Sequence, residues 1–140
     1  MSASLSSSLC GVWPGRHGLL AVVVDKQGAA RPPRFISTRL PEGRCELLEY
    51  IDSTEGPDWQ LVVPDWLARA DLLAHLALAH GTVVWTVPPR LVDTVNLLGR
   101  VDKLPAHRIA AALARLPRIP FLHAELHRLR PPDRRQLSLL

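Results

Sequence analysis

Leu9-Cys10-Gly11-Val12-Trp13-Pro14-Gly15-Arg16-His17-Gly18-Leu19-Leu20-Ala21-Val22-Val23-Val24-Asp25 is two apolar runs divided by a Pro/Gly-rich break. The break reads as a turn, so the runs are predicted to be antiparallel strands over about residues 9–13 and 19–24. The second run is continuously apolar rather than alternating, which places it centrally with both faces covered. Asp25-Lys26-Gln27-Gly28 turns the chain again. A third strand over about residues 34–40 follows, with Phe35 among polar neighbours and Pro32-Pro33 just ahead of it, as suits an edge.

Downstream the period changes. Leu47, Leu48 and Ile51 form one stripe of a short helix over about residues 42–52, with Glu42, Glu46 and Glu49 on the wet side. An apolar fourth strand over residues 59–63 stops at Pro64. Asp65 is read as the N-cap of one largely buried helix over residues 66–80, closed by Gly81 at C′. His75 falls on that helix as a core or boundary residue. A fifth strand over residues 82–87 ends at Pro88-Pro89, a helix over residues 90–98 ends at Gly99, and an Ala-rich helix led by Pro105 runs to about residue 116. The expected architecture is α/β. Its five-stranded mixed sheet combines an antiparallel three-strand meander with two parallel strands reached through helices, and helices cover both faces.

A chain of 140 residues fits one domain. Residues 1–8 are Ser-rich and read as a flexible N-terminus, residues 9–116 as the domain, and residues 117–140 as a basic tail with a short helix over 121–129. The tail's Leu-rich end, Leu137-Ser138-Leu139-Leu140, reads as a docking segment for the domain or a partner. The net charge of +4 is uneven: residues 1–99 hold 8 basic and 10 acidic side chains, residues 100–140 hold 9 and 3. A basic C-terminal excess attracts phosphate backbones or acidic protein surfaces. No apolar run is long enough to span a bilayer, and the start lacks a signal peptide's basic and apolar regions. Cys10 and Cys45 suit a reducing cytoplasm and read as small buried apolar residues, with a disulfide left open.

The strand and helix order resembles that of the ribonuclease H-like superfamily. Cys10-Gly11-Val12-Trp13-Pro14-Gly15-Arg16-His17 is similar to the Gly-Ile-Asp-Val-Gly-Lys-His opening of DEDD-type insertion-sequence transposases, which are bacterial mobile-element enzymes. The segment from Ala77 to Val92 resembles their Leu-x-x-x-Gly-x-x-Val-x-x-Val-Asn-Pro-x-x-Val passage. The resemblance implies two divalent ions held by about four carboxylates. This chain departs from that pattern. Trp13 occupies the first-strand Asp position, Pro105, Ala106 and Ala110 fall where late acids are expected, and Asp102 is one step out of register.

The resemblance with its acids missing implies a non-catalytic binding or assembly module linked to mobile-element or DNA-processing machinery. It would need no cofactor, and its partner would be DNA or a DNA-handling protein, with a second copy of the chain allowed. Arg100, Lys103, Arg108, Arg115 and Arg118 are the expected nucleic-acid contacts. One alternative is a magnesium- or manganese-dependent nuclease with Asp25, Asp65 and Asp102 in a displaced site. Another is a structural subunit of a conjugation or pilus-type apparatus. His123 and His127 lie four apart, but Ala124 stands where a zinc protease would need Glu, so metal binding there is disfavoured. Trp13, Trp66 and Trp85 are expected along one edge, as stacking surfaces or as filler for a vacated metal site.

Overall fold

The computed structural model describes residues 7–15, 17–39, 42–101 and 105–130, with the backbone alone for residues 98–101. Strand β1 (Leu9–Pro14), strand β2 (Gly18–Val24) and strand β3 (Arg34–Ser37) form the antiparallel meander expected from the two turns. Helix α1 (Glu42–Glu55) leads to β4 (Gln60–Pro64), and helices α2 (Asp65–Ala70) and α3 (Leu73–Ala79) lead to β5 (Val83–Val87). Helices α4 (Pro89–Val101) and α5 (Ala106–Arg115), a 3-10 turn over Leu116–Arg118, helix α6 (Pro120–His123) and strand β6 (His127–Arg128) complete the order. The sheet runs β3-β2-β1-β4-β5-β6, with β4 and β5 parallel to β1 and β6 antiparallel to β5.

Two expectations are corrected here. The sheet has six strands, not five, and the helix expected over residues 121–129 is instead a single turn followed by β6. The side chain of Thr86 accounts for part of that outcome: its Oγ1 donates to the His127 carbonyl at 3.0 Å, while the Leu129 N–H donates to Val84 O at 2.8 Å. Leu126 is buried among the residues of α4 and α5, so the chain to Leu129 packs on the sheet. The Leu-rich end at 137–140 lies outside the described residues. So do residues 1–6 of the expected loose N-terminus, whereas Ser7 and Ser8 are buried.

The single helix expected over residues 66–80 is broken at Asp71, whose backbone is extended. Its carboxylate accepts from the Leu73 N–H at 2.8 Å and so starts α3. It also takes a two-pronged grip from Arg44 of α1, Nε at 2.9 Å and Nη2 at 2.6 Å. Asp65 is the first residue of α2 rather than its cap, and its carboxylate pairs with exposed Arg69. Breaking the helix turns Leu72 outward, and His75 is exposed rather than buried. The far end matches the reading: Gly81 has φ +94°, its N–H bonds Leu78 O, and Thr82 N–H bonds Ala77 O. That is the paired closure a left-handed glycine permits.

The alternating faces of the strands build two cores. Cys10, Val12, Leu61 and Val63 pack with Leu47, Leu48 and Ile51 of α1 and with Leu73 and Ala77 of α3. Leu9, Val22, Val24 and Val62 pack beneath α4 and α5. Gly11 decides how close α5 comes. A Cβ there would collide with the Ala110 carbonyl oxygen and lie 2.8 Å from the Ala114 nitrogen, so this helix rests directly on β1 backbone. Cys10 is buried, with its thiol pushed up to about 12 by desolvation, while Cys45 is exposed, against expectation; both are free thiols.

Candidate nucleic-acid interface

The end of the sheet that carries Trp13 is aromatic. Trp13 is half-buried against the α4–α5 core, and its ring meets Trp66 edge-on with centroids 6.5 Å apart. Trp66 is in place because Pro64 ends β4 and starts α2 at this end. Trp85 is not part of the edge. It sits further back in β5, donates to Gln60 Oε1 at 2.7 Å and packs edge-on against His123 at 4.9 Å.

The acids of the alternative site are not brought together. Asp25 follows Val24, which pairs with Leu9 at the start of β1; Asp65 follows Pro64, level with Trp13 at its other end. Four residues of strand, about 13 Å, lie between those levels. Asp25 is a turn residue: its Oδ1 accepts from the Ala29 and Gln27 N–H groups, both at 2.9 Å. The Ala29 bond chiefly lowers its pKa, against burial, with the Gln27 bond and the Arg31 and Arg118 charges adding to the effect. Asp102 lies outside the described residues. Among the described residues no group of three or more His, Cys, Asp or Glu side chains is arranged to hold a metal ion.

The expected cations divide. Arg118 is structural: its Nη2 donates to the Ser7 carbonyl at 2.7 Å, and its Nε is buried without a hydrogen bond among the described residues. Lys103 and the Arg100 side chain lie outside the described residues. Arg108 and Arg115 lie seven residues apart on α5, hence two turns and about 10 Å apart on one face. With Arg31 and His107 they rim a groove of about 490 Å³ floored by Val22, Ala111 and Ala112. No acidic side chain lines it among the described residues.

The charges in this groove differ in how they are answered. Arg31, which comes from the loop before β3, is shared with Glu55 at 3.3 Å and Asp25 at 3.8 Å. Arg115 donates from Nη2 to the Gly28 carbonyl at 3.3 Å, a neutral partner that leaves its charge uncompensated. Arg108 is exposed and has no ion pair among the described residues. Arg31 and His107 were missed by the sequence reading. The basic excess at the C-terminus pointed to α5, but nothing local linked it to a loop some eighty residues earlier.

No protein-family model and no curated protein matches this sequence. Among the described residues, no helix is long and apolar enough to cross a membrane.

Proposed function

We propose that this chain is a non-catalytic, cytoplasmic nucleic-acid-binding module of ribonuclease H-like architecture, serving mobile-element or DNA-processing machinery. The observation that carries the binding role is the α5 groove, where Arg108 and Arg115 stand two turns apart with no carboxylate among the described residues to neutralise them. Phosphate contacts of this kind give affinity without sequence information. The architecture is supported by the order β3-β2-β1-β4-β5, in which an antiparallel meander joins two parallel strands. The absence of catalysis is supported by Trp13, which has no oxygen to offer a cation and whose ring is held by Trp66.

Anisotropy of a labelled DNA with the full chain tests the reading. Binding should fall steeply with salt, and Arg108→Ala/Arg115→Ala should flatten the slope of log K against log salt by about 1.4 to 1.8, at 0.7 to 0.9 per phosphate contact. Failure to bind duplex and single-stranded DNA at low salt would sink it.

A further inference from the structure

The same face of the sheet continues past the basic groove. Trp13 pairs with Leu20, and Leu20 with Phe35, so these three side chains form one row across β1, β2 and β3. The row lies one pleat beyond Val22, which floors the groove. Helix α5 covers Gly11 and Val22 but leaves the β3 side open: Leu20 is half-buried and Phe35 is 53% exposed. The Phe35 ring is propped from below by two glycines. Its Cζ lies 2.9 Å from where a Gly18 Cβ would be, and its Cε2 3.6 Å from where a Gly15 Cβ would be.

A large exposed ring on the sheet face that also carries Arg108 and Arg115 is an unusual use of an edge strand, since water-facing aromatics there invite unwanted association. At about 490 Å³ the groove has the volume of a small-ligand site, room for a nucleotide or two rather than for an enclosed double helix. Arginines tracking a backbone, with an aromatic face alongside, are what an unpaired strand needs: phosphates take the charge and a base takes the ring.

We infer that the ligand is single-stranded DNA, its backbone lying along Arg108 and Arg115 and a base stacked on Phe35. This rests on the nucleic-acid reading above and narrows it to one form of the polymer. No base-edge recognition is implied, because every base has a face to offer the ring.

The experiment compares, with the full chain, a labelled oligothymidylate of about twelve nucleotides and a duplex of equal length. The single strand should bind more tightly. Phe35→Ala should lower its affinity about tenfold and leave duplex affinity unchanged, Phe35→Tyr should retain binding, and Phe35→Leu should lose nearly as much as Ala. The Leu variant keeps apolar bulk on β3, so its loss separates stacking from damage to the fold, with thermal melts as a check. Equal affinity for both forms, or a single-strand preference indifferent to Phe35, overturns this inference and leaves the broader reading standing. No binding to either form overturns both.

Discussion

Two grooves of about 490 Å³ flank the loop before β3, one on each face of the sheet, and Arg31 borders both. In the groove against α1, the charges are answered. Arg31 is paired with Glu55, and the Arg34 guanidinium sits 3.7 Å over the Tyr50 ring. The floor there is Ala21, Val23, Leu47 and Ile51. In the groove against α5, Arg108 and Arg115 have no carboxylate among the described residues. The same loop thus closes one face with cations already engaged and leaves the other with cations available. Size does not distinguish the grooves; the bookkeeping of charge does.

The sharpest way to break that contrast is to uncouple the α1 face. Arg44→Ala would strand the Asp71 carboxylate, since both side chains are about one-tenth exposed, and should destabilise the protein by about 3 kcal/mol in urea titration. Binding at the opposite groove should be unaffected under conditions where the variant remains folded. The same carboxylate sets a pH limit. Burial would raise the Asp71 pKa, but the Arg44 and Leu73 hydrogen bonds and the Arg44 charge together hold it below the ordinary value of 3.8. Asp52 is likewise lowered: burial opposes, while Trp59 at 2.6 Å and the hydrogen bond and charge of His80 prevail. A lowered folded pKa contributes stability that is complete above the unfolded value and lost as pH falls through the folded one. Stability should therefore drop below about pH 4, and Arg44→Ala should reduce that drop.

Gly11→Val tests the other face. The added side chain meets α5 backbone, so the helix must lift, costing about 2 kcal/mol and widening the basic groove. Thermal melts should show the loss, and DNA affinity measured on the folded fraction should fall, while the α1 groove is spared. Arg31→Ala should do least. Its partners are reached at 3.3 and 3.8 Å from a half-exposed side chain, so equilibrium unfolding should move by less than about 1 kcal/mol. A large loss of DNA affinity in that variant would show that Arg31 belongs with the available cations after all.

The meander and both crossovers were legible because Pro and Gly punctuate apolar runs of strand length, as at Pro14-Gly15 and Pro64. Strand β6 was not. His127 and Arg128 carry no strand pattern, and their pairing depends on Thr86 and Val84 far earlier in the chain. The break at Asp71 was hidden by leucines that continue on either side of it; its cause, Arg44, lies in another helix. Of the site, the basic character of α5 could be read locally. What could not was that Arg118 turns away to Ser7, that Arg31 comes to line a groove with that helix, or that Phe35 is exposed on the sheet face the helix covers. An aromatic residue on a Pro-preceded edge strand was the available signal.

The outermost strands have a further consequence. Strand β3 is four residues long and β6 only two, so either flank of the sheet offers few unpaired peptide groups to another chain. A sheet with such abbreviated margins is a poor template for edge-to-edge growth. That brevity protects a protein carrying an uncovered phenylalanine on its margin from recruiting its own copies into fibres.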